Sequence, residues 1–230
     1  MKIFINPGHG RNSTTGVFVP GAVGLTGLIE ADINFRVGQL LNSKIGGLCT
    51  TKLYQDANHT VVCNEANLFQ SDYFVSIHCN AHADRSANGT ETYCYALGGQ
   101  GEKLARSVQT ELIKALKLRD RGVKTANFEV LRGTKATAIL VELGFISNPA
   151  EEALMKNAQW LDSAAEALAI GISNYVGLVY PPPPPIQEEP EPNRNLFRVQ
   201  VGSYSSIANA EAMLKRVQDA GFKDAFITQG

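Results

Sequence analysis

The chain has 230 residues, 44% of them hydrophobic and 19% charged, with a formal net charge of -1. That is the composition of an ordinary globular protein, long enough for one sizeable core and a small second module. No Lys/Arg block could neutralise a phosphate backbone, which excludes nucleic acid as a partner through a basic surface. No apolar run reaches the roughly 18 residues that a membrane-spanning helix needs.

Lys2 to Ile5 reads as a buried strand. Its apolar stretch is too short for a signal peptide, and no small-residue cleavage site follows. The expectation is a chain trimmed of its signal or one that leaves the cytoplasm by another route. Glu30 to Leu41 has helical spacing at Ile33, Val37, Leu40 and Leu41. Leu48 to Leu53 reads as a short strand, Thr60 to Phe69 as a helix, and Tyr73 to Ile77 and Thr90 to Ala96 as strands. A helical stripe follows over Gly101 to Leu118, then a strand over Ala138 to Leu143. Pro149 to Met155 is a short helix with proline in its first turn, and Leu161 to Val176 a final one. Strands alternating with helices predict an α/β fold, a mixed, mostly parallel sheet with helices on both faces.

Pro181 to Pro185 are five consecutive prolines, and Pro190 and Pro192 follow. Proline fixes φ and removes a donor, so this stretch predicts an extended linker, with a ligand for a proline-binding domain as the other reading. The expected boundaries are a first domain over 1–178, a Pro/Glu-rich linker over 179–195 and a small module over 196–230. In that module Asn195 to Tyr204 alternates as a strand, Ile207 to Ala220 is a helix and Ala225 to Thr228 a second strand, a βαβ unit. The four cysteines, Cys49, Cys63, Cys79 and Cys94, show no Cys-x-x-Cys spacing. They read as buried free thiols, with disulfide pairing as the alternative.

Four residues carry chemistry. His9 sits between Gly8 and Gly10, Glu30 opens a helix, His78 ends an apolar strand and Glu142 interrupts one. Each has an ordinary reading: a lone histidine is usually a surface or core residue, and a carboxylate at a helix start is favoured anyway. His78 and Glu142 are harder to dismiss, because a polar group in an apolar strand needs a partner. Together, two imidazoles and a carboxylate make the open three-ligand set of a catalytic zinc, and a second glutamate can handle protons. His9, His78 and Glu142 all fall at or just beyond strand C-terminal ends, where open α/β sheets place ligands. Cys79 follows His78 on the same strand and points to the opposite face, so it is not counted as a ligand. His59 and His82 lack such contexts and read as surface residues.

The segments Asn6-Pro7-Gly8-His9-Gly10, Ser76-Ile77-His78-Cys79-Asn80-Ala81 and Val141-Glu142-Leu143-Gly144-Phe145-Ile146-Ser147-Asn148, with Glu30 between the first two, resemble zinc-dependent N-acetylmuramoyl-L-alanine amidases. Gly89-Thr90-Glu91-Thr92-Tyr93 and Arg121-Gly122-Val123-Lys124 extend the likeness over about residues 1 to 177. The resemblance implies a phosphorylase/hydrolase-like fold and peptidoglycan as substrate. His9, Glu30 and His78 would hold Zn2+, with Glu142 as general base. Asn80, two residues beyond His78, is a further candidate contact for substrate or glycan. Asn6 stands where the family often has aspartate. The stretch from His78 to Thr90 is too short for the inhibitory helix that some relatives carry there.

Phe197, Val199, Gln200, Gly202, Ser203, Tyr204, Ala210 and Leu214 resemble the first half of a SPOR domain, which implies glycan contacts at Phe197 and Gln200. Such a half has too little surface for a core of its own. Dimerisation through it, packing on the catalytic domain and truncation stay open. So do a holin-released endolysin and a host autolysin, both acting at the cell wall. The rival functions are a non-catalytic wall-binding protein on the same fold and a zinc peptidase.

Overall fold

The computed structural model describes residues 1–180, 201–223 and 225–227. The chain divides into two compact units, Met1–Pro181 and Pro182–Gly230. In the first, the elements run β1 (Lys2–Pro7), β2 (Gly10–Arg11), β3 (Phe18–Val19), α1 (Glu30–Ile45), β4 (Thr50–Leu53), α2 (His59–Leu68), β5 (Tyr73–Asn80) and β6 (Thr90–Cys94). They continue with α3 (Gln100–Leu116), β7 (Asp120–Thr125), α4 (Glu129–Gly133), β8 (Thr137–Phe145), α5 (Pro149–Met155) and α6 (Ala158–Val176).

Six strands form one sheet in the order β4-β1-β5-β8-β6-β7. All neighbours are parallel except β6 and β8. The sheet is therefore mixed and mostly parallel, as the sequence pattern predicts. Period-2 alternation sends successive side chains to opposite faces. On one face Ile3, Ile5, Val75, Ile77, Cys79, Ile139, Val141 and Leu143 pack against α1, α3 and α6. On the other, Phe4, Phe74, Ala138 and Leu140 pack against the short helices α2 and α4. Gly171 makes the α3–α6 crossing close: a Cβ there would stand 2.6 Å from the Val108 Cα.

Both late helices start on asparagine caps. The Asn148 side chain accepts from the Ala150 and Glu151 amides, with Pro149 at the first position, and Asn157 accepts from Gln159 and Trp160. Asparagine at this position satisfies amides that the first turn leaves unpaired.

Three features depart from the sequence reading. The β2–β3 hairpin, the edge strand β7 and the one-turn helix α4 were not expected. Asp120–Thr125 carries a single strongly apolar residue, Val123, so no alternation marks it; pairing with β6 makes it a strand. Helix α1 runs on to Ile45. All four cysteines are free, and Cys63, Cys79 and Cys94 are buried. Residues 81–89 hold no helix.

In the second unit the described residues form α7 (Ile207–Asp219), an amphipathic helix with no fully buried residue. Residues 201–204 and 225–227, the described parts of the two strands expected there, are in no strand. The proline-rich stretch from 181, Phe197 and Gln200 lie outside the described residues. Among the described residues no helix is long and apolar enough to cross a membrane.

Candidate metal centre

The face that α2 and α4 cover is apolar only at one end. Along β5 it runs Phe74, Ser76, His78, Asn80; along β8, Ala138, Leu140, Glu142. Each strand turns polar toward its C-terminal end, beyond the reach of the two helices. Ser76 there donates to Asn6 Oδ1 at 2.9 Å, and Asn6 Nδ2 donates to the Tyr54 carbonyl at 3.1 Å, tying β1 to β5 and to the end of β4.

His9, Glu30 and His78 converge at that end, with one ligand atom from each within 4.8 Å of the others. His9 Nε2 lies 3.2 Å from Glu30 Oε2, and His78 Nδ1 lies 3.1 Å from Glu30 Oε1. Each residue arrives differently. His78 is carried in on β5. His9 follows β1 in the left-handed region, at φ 66°, and Gly10 continues it at φ 97°. Left-handed backbone is uncommon for a residue with a side chain and clusters at functional sites. Gly8 matters for a different reason, since any Cβ there would run into the His78 ring. Of the flanking glycines noted in the sequence, Gly8 thus makes room for the His78 ring, and Gly10 holds a left-handed turn against the Gln55 side chain.

Glu30 is 4% exposed, which corrects the alternative reading of a solvated carboxylate at a helix start. The Ala22 amide donates to its Oε2 at 2.7 Å and the Cys79 amide to its Oε1 at 3.1 Å. Asn34, one turn along α1, donates to Oε1 and to the Gly8 carbonyl, both at 3.3 Å. Burial opposes ionisation of Glu30, but hydrogen bonds and charge from His78 and His9 prevail and hold its carboxyl well below the usual range. Burial pushes the His78 imidazole down, against the pull of Glu30. A neutral imidazole beside a charged carboxylate is the ligand form of both groups.

Glu142 sits in the next strand, in register with His78 across β5–β8. Its Oε2 is shielded from solvent and has no hydrogen-bond partner among the described residues. Burial first, then the charges of Glu30 and Glu91, push its carboxyl well above the ordinary value.

Asn80 borders this group, but its Nδ2 is committed to Glu91 Oε1 at 2.7 Å. His59 and His82 stand apart and exposed, as expected. Sequence reasoning missed the supporting residues. Gln55 Nε2 donates to the carbonyls of Gly8 and Ala31, at 3.3 and 2.9 Å. Glu152, 2% exposed, receives the amide and hydroxyl of Thr26 and so pins the loop leading to Glu30. Glu151, 4% exposed, accepts from the amides of Gly89 and Phe145 at 2.7 and 2.5 Å, joining the start of β6 to the end of β8. Only Asn34 left a signal, four residues after Glu30 and so on the same helix face.

A model of the N-acetylmuramoyl-L-alanine amidase family matches residues 3–174. The chain belongs to that family. It is a peptidoglycan amidase, and the group just described lies inside the matched region. It is 36% identical over 180 residues to the amidase LytC of Bacillus subtilis (strain 168), covering 75% of this chain but 35% of that protein. It is 32% identical over 233 residues to the amidase CwlM of Bacillus licheniformis, covering 99% of this chain and 84% of that one. The crystal structure of an N-acetylmuramoyl-L-alanine amidase from Clostridium difficile 630 superimposes with a TM-score of 0.69 at 32% identity, over 76% of this chain and 96% of the other. A SPOR domain model matches residues 163–230. Its first part falls within α6, where Ala164, Ala165 and Leu168 are buried in the amidase core.

Proposed function

We propose that His9, Glu30 and His78 hold a zinc ion and that Glu142 is the general base that cleaves the amide between N-acetylmuramic acid and L-alanine. The observation that carries this reading is the unpartnered, shielded Oε2 of Glu142 beside a converged His-Glu-His group. The donor set fits zinc: two neutral imidazoles and one carboxylate suit a borderline-soft ion and leave a coordination position open. When bound, zinc supplies a Lewis acid that lowers the pKa of water toward about 7 and polarises the scissile carbonyl.

The chain's own groups do the rest. Glu142 takes a proton at Oε2 from the attacking water and delivers it to the amide nitrogen as the C–N bond breaks. An oxygen already saturated with hydrogen bonds would have no lone pair directed at that proton. A carboxyl raised toward the working pH is also the better matched base. Glu30, bonded to two amides and Asn34, keeps both rings oriented toward it. Asn80, at the edge of the group, is assigned to substrate contact. The SPOR segment, with Phe197 and Gln200, is assigned to glycan strands, keeping the enzyme on the wall.

The test is the appearance of new L-alanine amino termini from purified peptidoglycan. We expect release that stops on chelation and returns on addition of zinc. Release that persists in protein shown to be metal-free would overturn the zinc assignment. Exposed amino termini other than L-alanine would make the chain a peptidase.

A further inference from the structure

The polar rung of the sheet does not stop at Glu142. Glu91 on β6 stands directly opposite it across the antiparallel β6–β8 pair, so the two side chains share a face about 5 Å apart at their Cβ atoms. Glu91 is 2% exposed, and four donors converge on it. Asn80 Nδ2 and the Tyr93 hydroxyl reach Oε1, each at 2.7 Å. Arg121 Nε reaches Oε2 at 2.6 Å, and Lys124 Nζ reaches the same oxygen.

Two cations thus meet one carboxylate, which leaves one positive charge in excess next to the base. Neither cation is sealed in: the Arg121 side chain is 27% exposed and that of Lys124 37%. The Arg121 guanidinium lies over the Phe145 ring, 4.9 Å from its centre. Its Nε is used on Glu91 and its Nη1 reaches the Asn88 carbonyl at 3.4 Å. Its Nη2 has no hydrogen-bond partner among the described residues. A clamped guanidinium with a free Nη2, beside an ammonium, offers charged donors suited to a carboxylate.

We propose that Arg121 and Lys124 form a subsite for a carboxylate on the peptide side of the substrate, with Glu91 as the residue that positions both. This rests on the amidase reading of the neighbouring group. The direction follows from chemistry: the carboxyl of the muramic acid is consumed in the scissile amide, so free carboxylates lie on the peptide. The peptide arm therefore leaves the base toward β6 and β7. Glu91 itself does not repel the ligand, because both cations and two neutral donors offset its charge.

The experiment compares two muramyl-peptide substrates on the zinc-loaded full chain, identical except that the carboxylate nearest the scissile bond is free in one and a carboxamide in the other. Charge-assisted bonds of this kind support a preference for the free acid of about tenfold or more in kcat/KM, carried by KM. Arg121→Gln and Lys124→Gln should each shrink that ratio toward one. A merely structural ion pair would lower both rates together and leave the ratio alone. Equal rates on the two substrates with the unaltered protein overturn the subsite while the amidase reading stands, since both are cleaved. Cleavage of neither overturns both. Persistence of the full preference in both variants overturns the assignment to these two residues.

Discussion

The two faces of the sheet are built from the same strands and do opposite things. One is mostly apolar and sealed by α1, α3 and α6, and its buried Thr92 is paired with Gln109 of α3. The other is apolar only where α2 and α4 lie, and its open end carries His78, Glu142 and Glu91 in register. The sealed face has what folding requires: large buried side chains in mutual contact. The open end has what folding disfavours, namely a left-handed histidine, the buried carboxylates of Glu30 and Glu91, and the unpartnered oxygen of Glu142. Stability and chemistry are thus separated by the pleat of each strand, one residue apart in sequence.

The sharpest way to break that comparison is to alter the open face and find the fold damaged. His78→Ala should lose bound metal and reduce amide cleavage to background while the far-ultraviolet circular dichroism stays native. Metal content and rate, measured together, check it. Glu142→Gln should keep the metal and lose about 10²–10⁴-fold in rate. It also carries a pH signature. The Glu142 carboxyl is raised, so the stability it contributes is complete below the ordinary glutamate value of about 4.3 and is lost as pH rises through the folded value. In metal-free protein, Glu142→Gln should therefore have the higher Tm at pH 7, and the two curves should merge below about pH 4. A lower Tm for the variant at pH 7 would mean that this carboxylate stabilises the fold.

The sealed face should answer the other way. Leu168→Ala, in α6 with no exposed surface, should cost about 2–5 kcal/mol of stability and change kcat/KM little in the protein that stays folded. Denaturant midpoints check it. The smallest effect is expected in the second unit. Leu214 sits in the part-buried stripe of α7 with Ala210, Met213 and Val217, and Leu214→Ala should shift stability by less than about 1 kcal/mol. A large loss there would show that α7 belongs to a core.

Much of the site was legible because its residues violate local patterns. A glutamate inside Ala138-Ile139-Leu140-Val141 and Leu143, and a histidine ending Tyr73-Phe74-Val75-Ser76-Ile77, are anomalies that a periodicity reading detects without a structure. The supporting residues violate nothing. Gln55 lies in an ordinary loop and Glu151 and Glu152 in an ordinary first helical turn, where carboxylates are common. Only their distant partners, such as Thr26 for Glu152 and Gly89 for Glu151, make them unusual. Strand β7 escaped for a related reason: an edge strand of polar residues owes its form to its neighbour.

By itself, then, the order of residues determined which faces are apolar, where most strands fall, which four polar side chains break the local pattern and which family they mark. These follow from spacings of two and 3.6 residues and from short motifs, which are local. Tertiary structure alone decided that Glu30 is buried between two rings, that Glu91 stands opposite Glu142, and that Arg121 and Lys124 reach it from the sheet edge. Strand order and register are set by packing across the whole sheet, and a buried carboxylate takes its partners from wherever that packing brings them.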